Sequence, residues 1–134
     1  MDEFTLDPRL VADTTFVVDW TLSRVQLMND SRYPWLVLVP RQAHRAELFD
    51  LSRPDRELLM EEVALAAKCL KEISTATKIN VGALGNQVPQ LHVHVVARHT
   101  GDPAWPGPVW GHSPAVPYNS AARDLLIARV QNFR

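Results

Sequence analysis

The segment from Gln90 to Val96 alternates between polar and aliphatic residues, and this alternation narrows the possible folds more than any other feature of the sequence. Successive side chains of a β-strand point to opposite faces, so strict alternation is typical of a strand with one buried face. Gln90, His92 and His94 would then share one face, while three aliphatic side chains would point into a core. The sequence therefore predicts a half-buried strand that carries one amide and two imidazoles on its outer surface.

Three interpretations of the two histidines are open at this point. They could simply face solvent, but Gly82, Gly85 and Pro89 precede them, and polar clusters beside such loops often mark functional sites. A His-x-His pair could also supply two zinc ligands, although no Asp, Glu or Cys lies nearby and His99 and His112 are third ligands by residue type only. Finally, one neutral imidazole could attack an electrophile while its neighbour supplies a proton.

The other patterns in the chain predict further strands and two main helices. Ser52 and Asp55 resemble a capping box, and the apolar residues that follow recur at helical spacing as far as Ile73. A proline-rich segment over residues 100–117 has no periodic pattern and is expected to form an irregular arm. The predicted elements are a short helix at 4–12, strands at 14–20, 23–28, 35–39, 78–84 and 90–96, a long helix from Ser52 and a second helix at 120–133. Phe16, Val18 and Trp20 are expected on one face of the first strand. Strands in runs around one long helix indicate an α+β fold with a mainly antiparallel sheet.

Length and composition favour one ordinary globular domain over residues 1–134, with a C-terminal arm and helix at 100–134. The formal charge of −1 gives no reason to expect a long nucleic acid as partner. Cys69 is the single cysteine, so it cannot form an internal disulfide, and we interpret it as a core residue in a reducing compartment. The first residues lack a secretory signal, and no apolar run is long enough to span a membrane. We therefore expect a cytoplasmic protein.

The alternating segment resembles the motif of the histidine triad (HIT) family, His-φ-His-φ-His-φ-φ with φ apolar. Here the motif stands as Gln90-Leu-His-Val-His-Val-Val, so the second and third histidines are retained and the first is replaced. Asn80-Val-Gly, Gly85-Asn-Gln-Val and Trp105-Pro are similar to further conserved pieces of the family, and the resemblance covers about residues 14–112.

The resemblance implies a five-stranded antiparallel sheet, usually paired into a homodimer, and nucleotidyl chemistry at a phosphate without a metal or other cofactor. It implies that His92 is the nucleophile and that its second ring nitrogen donates to a backbone carbonyl, expected in the Gly85 loop. It further implies that His94 donates a hydrogen bond to the phosphate or a proton to the leaving group. Gln90 can donate and accept hydrogen bonds but cannot carry a proton between states. If the first histidine orients its neighbours, Gln90 can replace it; if that histidine is an acid or base, activity should fall or shift.

The resemblance also suggests a set of substrate-binding residues, each with a structural alternative. Asn29 would contact the ribose or be a turn residue, and His44 would be a further site histidine or a surface residue. Trp105 would reach a neighbouring subunit's pocket or pack under the arm, and Arg98 and His99 would meet distal phosphates or face solvent. The remaining members of the set are Asn80 and two phosphate-loop residues, Asn86 and Gln87.

The leading hypothesis is a nucleotide hydrolase or nucleotidyl transferase that acts at the α-phosphate through a covalent nucleotidyl-histidine. Dinucleoside polyphosphates and nucleoside phosphoramidates are the substrate classes considered. Two alternatives remain, a nucleotide-binding module without turnover and, less favoured, a metal-dependent hydrolase that uses the His-x-His pair.

Overall fold

The structure is a computed structural model that describes residues 2–133. Its centre is one five-stranded sheet in which every neighbouring pair is antiparallel, and the strand order is β1-β2-β3-β5-β4. The strands are β1 (Thr14–Asp19), β2 (Ser23–Met28), β3 (Trp35–Pro40), β4 (Lys78–Gly82) and β5 (Val93–Arg98). This architecture confirms the predicted α+β fold with a mainly antiparallel sheet.

Three α-helices and one short 3-10 turn complete the fold: α1 (Pro8–Asp13), the turn Leu48–Asp50, α2 (Arg53–Ser74) and α3 (Ser120–Gln131). α2 begins as predicted, because the Ser52 hydroxyl accepts a hydrogen bond from the Asp55 amide at 3.3 Å. α3 docks on its own domain, where Val130 is buried and the Gln131 side chain donates to the Val17 carbonyl. None of the helices within residues 2–133 is long and apolar enough to cross a membrane.

The two faces of the sheet are covered by different parts of the chain. On one face Val25, Leu36 and Val95 form a core with buried residues of α2, including Leu70. Cys69 belongs to this core, and its burial raises the pKa of the thiol to about 11, so the thiol stays protonated at neutral pH. The other face carries a second cluster that α1 and the arm cover: Leu10, Tyr33, Trp35, Val37, Val39, Val96, Ala104 and Val109.

Two details of the strands differ from the sequence prediction. β1 contains a bulge between Phe16 and Val18, so Val17 becomes a core residue while Phe16 is 51% exposed. The extra residue of a bulge shifts the alternation by one place, which a period-two pattern does not show. β5 begins at Val93, not at Gln90: its pairing with β3 stops at Leu38 and Val93, and the Leu91 amide donates to the Arg45 carbonyl instead of to β3.

Candidate active site

His92 lies just before β5 and is held by a backbone carbonyl. Its Nδ1 lies 2.6 Å from the carbonyl oxygen of Gln90, so Nδ1 carries the hydrogen and donates it. In the neutral ring, Nε2 then keeps its lone pair. The accepting carbonyl belongs to Gln90 and not to the Gly85 loop that the sequence analysis favoured. His92 therefore has the tautomer that a nitrogen nucleophile requires.

His94 lies next to His92 and has the opposite tautomer. The indole N–H of Trp35, which can only donate, lies 3.0 Å from His94 Nδ1, so the hydrogen of the neutral His94 ring is on Nε2. Burial, and secondarily the neighbouring His92, lowers the pKa of His94 to about 4. The two imidazole centroids are 4.9 Å apart. At neutral pH His94 is an uncharged hydrogen-bond donor beside His92.

An aromatic wall encloses His94. The rings of Trp35 and Trp110 each lie 5.6 Å from the His94 ring, measured between centroids, and 6.3 Å from each other. Gly82 pairs with His94 across the sheet, and a Cβ added at Gly82 would lie only 3.0 Å from the Trp110 ring. The glycine at this position therefore lets Trp110 pack against the sheet beside His94.

The two histidines line an open cleft of about 350 Å³, although each is only 6% exposed. The loop from Gly85 to Val88 forms one side of this cleft, and the end of the arm from Val109 to Ala115 forms the other. Asn86 and Gln87 are exposed residues of the loop and line the cleft, as the sequence analysis predicts. A smaller recess of about 290 Å³, lined by Gln90 and Leu48, also reaches His92.

The Gln90 side chain binds the N-terminal segment. Its Nε2 donates to the Thr5 carbonyl at 2.9 Å, and its Oε1 accepts from the Asp7 amide at 2.8 Å. Both polar groups of the amide are therefore engaged outside the histidine pair. The Gln90 backbone, by contrast, is the direct partner of His92.

Asn80 and Trp105 surround a buried ion pair instead of lining the cleft. Arg98 is 1% exposed and makes two hydrogen bonds to Asp102, at 2.8 and 2.9 Å, and a third to the Asn80 side chain at 2.9 Å. Its guanidinium also lies 5.6 Å from the centre of the Trp105 ring. Burial alone would raise the pKa of Asp102, but the bonds from Arg98 and from the His99 and Trp105 amides lower it to about 2. Arg98 is thus not positioned to meet a phosphate.

Asn29 and His44 also have protein partners. The Asn29 side chain accepts from the Tyr118 amide at 3.0 Å and holds the end of the arm. His44 is exposed and pairs with Asp2. His99, one of the metal-ligand candidates, lies 2.9 Å from the Ser74 carbonyl. Among residues 2–133, no group of three or more His, Cys, Asp or Glu is arranged to hold a metal ion.

Several residues of the cleft were not singled out from the sequence, among them Asp13, Asp30, Trp35 and Trp110. The sequence does not indicate a site role for Trp35, because Trp35 begins an apolar strand and is expected there as a packing residue. Trp110 stands in a proline- and glycine-rich arm, and a large aromatic ring in such a segment was a usable signal for a packing partner. The two acidic residues carry no pattern of their own.

Fold and site together define a class of protein: an antiparallel sheet that presents two paired imidazoles beside a glycine-containing loop. A family model described as the HIT domain matches residues 9–101. The chain therefore belongs to the histidine triad family, as its motif indicates. Proteins of this family generally bind nucleotides and hydrolyse or transfer them.

Solved structures of similar sequence agree with this assignment. The chain is 49% identical to a histidine triad protein from Sinorhizobium meliloti 1021, with a TM-score of 0.93, over 95% of this chain and 94% of that one. It is 42% identical to a histidine triad protein from Bradyrhizobium japonicum, with a TM-score of 0.95, over 97% of both chains. It is also 42% identical to a histidine triad protein from Marinobacter aquaeolei VT8, with a TM-score of 0.95, over 97% of this chain and 95% of that one. No curated protein matches the chain.

Proposed function

We propose that the protein is a nucleotide hydrolase or nucleotidyl transferase that uses His92 as a covalent nucleophile. The observation that carries this proposal is the hydrogen bond from His92 Nδ1 to the Gln90 carbonyl, which leaves Nε2 unprotonated. A histidine nucleophile needs this arrangement, because only the bare nitrogen has an available lone pair. His92 also lines the cleft, so a substrate can approach it.

The proposed reaction has two steps at the α-phosphorus of a nucleotide. His92 Nε2 bonds to phosphorus as the bond to the leaving group breaks, and the leaving group takes a proton from water. The oxygen of a second water, or of another acceptor, then bonds to phosphorus and frees Nε2, and the proton that this acceptor loses neutralises the hydroxide left by the first water. Hydrolysis by this route yields a nucleoside monophosphate and restores the imidazole.

His94 contributes as a neutral donor in this scheme. Its hydrogen is on Nε2, since Nδ1 accepts from Trp35, and a pKa of about 4 leaves almost no imidazolium at neutral pH. We therefore assign it a hydrogen bond to a phosphate oxygen in preference to protonation of the leaving group. Asn86 and Gln87 are the substrate-binding residues that we retain, because they line the phosphate side of the cleft.

The charge of the cleft favours one of the two substrate classes. Within residues 2–133, neither a lysine nor an arginine lines the cleft, and Asp13 and Asp30 do line it. Arg9 and Arg32 contact residues of the cleft, but each is already paired with a carboxylate, Asp7 and Asp30. A polyphosphate chain would place several negative charges there without an unpaired cation, whereas a phosphoramidate has one charged phosphate. We therefore favour nucleoside phosphoramidates over dinucleoside polyphosphates.

The deciding experiment is intact mass measured after brief exposure to adenosine 5′-phosphoramidate, with a quench that avoids acid. We expect a nucleotidyl adduct on the wild type and none on His92→Ala, while His99→Gln, remote from the cleft, should keep the adduct. Release of monophosphate should continue in the presence of a chelator. Binding of AMP without adduct or turnover in the wild type would instead establish a nucleotide-binding module, the alternative that the loss of the first motif histidine favours.

A homodimer is part of the proposal, with β4 and α2 as the contact surface. β4 is an edge strand, and its Val81 is 52% exposed, while Met60 of α2 is 64% exposed. These two residues line an apolar groove of about 420 Å³ together with Leu59 and Val63. An exposed apolar patch of this kind next to an open strand edge is typical of an interface. A second copy of the chain, applied through a two-fold axis, would cover it.

A further inference from the structure

We propose that Gln90 is a positioning residue that couples an N-terminal strap, defined as residues 4–9, to the loop that binds the phosphate. The strap would hold residues 85–89 in the geometry that receives the substrate, so that Gln90 acts on substrate binding and not on the chemical step. This inference rests on the proposed function for the identity of the ligand, but the contacts that carry it do not depend on turnover.

The first contact fixes the strap to the motif. Gln90 donates to the Thr5 carbonyl and accepts from the Asp7 amide, at 2.9 and 2.8 Å. A primary amide carries its donor and its acceptor on one carbon, so it can bind two nearby peptide groups of the same backbone segment. A neutral imidazole also has one donor and one acceptor, but they diverge from different corners of the ring. The replacement of the first motif histidine by Gln90 therefore suits a binding partner that consists of backbone groups, as the strap does.

The second contact joins the strap to the phosphate loop. Arg9 Nη1 donates to the Gln87 carbonyl at 2.5 Å, while its Nε and Nη2 donate to the Asp7 carboxylate at 3.2 and 3.1 Å. Asp7 thus binds Gln90 through its backbone and orients Arg9 through its side chain. Leu6 and Val88 pack on the same apolar cluster, which adds a contact between strap and loop. Gln90 binds the strap, the strap binds the loop, and the loop leads directly into Gln90, so the three parts are connected to one another beside His92.

The geometry sets the direction of the expected effect. The Gln90 carbonyl orients His92. Because this carbonyl belongs to the backbone, any substitution at position 90 other than proline should leave it in place. Loss of the Gln90 side chain should therefore release the strap and the loop, and raise KM roughly tenfold, the value of about one net hydrogen bond. The value of kcat should change by less than about threefold, because the nucleophile keeps its tautomer.

The test compares four proteins: the wild type, Gln90→Ala, a strap-less chain that lacks residues 2–7, and the strap-less chain with Gln90→Ala. With adenosine 5′-phosphoramidate, Gln90→Ala should raise KM in the full chain and have no further effect in the strap-less chain. Amide hydrogen exchange at Asp7 should become faster in Gln90→Ala. Gln131→Ala, a glutamine that binds a backbone carbonyl far from the cleft, is the matched control and should change none of these values.

Two results would overturn the inference: an equal loss of kcat from Gln90→Ala in both backgrounds, or unchanged exchange at Asp7. If the strap-less chain does not fold, Arg9→Ala takes its place, because it keeps the strap but removes its contact with the loop; it should raise KM as Gln90→Ala does. If no phosphoramidate turnover occurs, the proposed function fails separately, and the affinity for AMP measured by calorimetry tests the same coupling. An AMP affinity that Gln90→Ala leaves unchanged in the full chain would then contradict the strap.

Discussion

One indole hydrogen determines the chemistry of His94. Trp35 can only donate, so its bond to Nδ1 leaves Nε2 as the protonated nitrogen of the neutral ring. His92 receives the reverse arrangement from a carbonyl, so the two adjacent imidazoles present one bare nitrogen and one N–H. In the proposed reaction, Trp35 and the Gln90 carbonyl would thereby decide which histidine attacks and which one donates.

Trp35→Phe should remove this control while it keeps most of the aromatic packing. Without the indole donor, neutral His94 is free to populate both tautomers, and we expect kcat to fall roughly tenfold, less than the roughly 10²- to 10⁴-fold value of a positioned proton donor, because the donor tautomer stays partly populated. Nitrogen-15 NMR of the His94 ring measures the tautomer directly. Trp110→Phe is the control for this measurement, because the Trp110 ring stacks near His94 without a hydrogen bond to it. An unchanged His94 tautomer in Trp35→Phe would contradict the assignment.

At the scale of elements, most of the fold follows from local patterns. The apolar run of β3, the capping box and stripe of α2, and the alternation before Arg98 predicted those elements within a few residues. The errors came from pairing partners: Leu91 bonds to Arg45 and not to β3, so β5 begins later than predicted, and the bulge that makes Val17 a core residue depends on its register with β2. Such partners lie far away along the chain, and local periodicity does not contain them.

The placement of the two histidines could also be predicted from local periodicity, whereas the contacts of the Gln90 side chain could not. His92 and His94 on one surface beside the Gly85 loop follow from a period of two, and the structure has this arrangement. The strap contact of Gln90 joins residues 83 and 85 positions apart, so no neighbouring sequence signals it. The roles of the site residues remain predictions until the variants are measured.

The open edge of β4 gives a prediction about assembly. Val81 is 52% exposed on that strand and lines the apolar groove, so a lysine there would place a charge in the proposed interface. We expect Val81→Lys to shift the wild-type dimer to monomer in sedimentation velocity. Leu125→Lys introduces the same charge at a residue of α3 that is 64% exposed and should leave the dimer intact. A monomeric wild type would contradict the proposed assembly.

For the molecule as a whole, the buried titratable groups predict a stepwise loss of stability in acid. His94 has a folded-state pKa of about 4 against 6.5 for a free imidazole, so below pH 6.5 the unfolded state binds a proton that the folded state does not. The free energy of unfolding should therefore fall from pH 6.5 to 4, by roughly 3 kcal/mol in total. Asp102, lowered from 3.8 to about 2, stabilises the fold above pH 3.8, and this contribution is lost as the pH falls towards 2.

Urea unfolding at a series of pH values separates the two steps. His94→Gln should abolish the decrease between pH 6.5 and 4 and keep the one below pH 4. His99→Gln is the matched control and should keep both. A wild-type stability that does not vary between pH 6.5 and 4 would show that His94 is not held neutral by the fold.

The segment ahead of α1 also affects how the protein should be prepared. Asp2 pairs with His44, and a few residues later the chain reaches Gln90, so a purification tag joined in front would begin close to the segment that binds Gln90. An amino-terminal tag is therefore expected to distort the measured affinities, and the opposite end of the chain, beyond α3, is the better place for affinity handles and dyes.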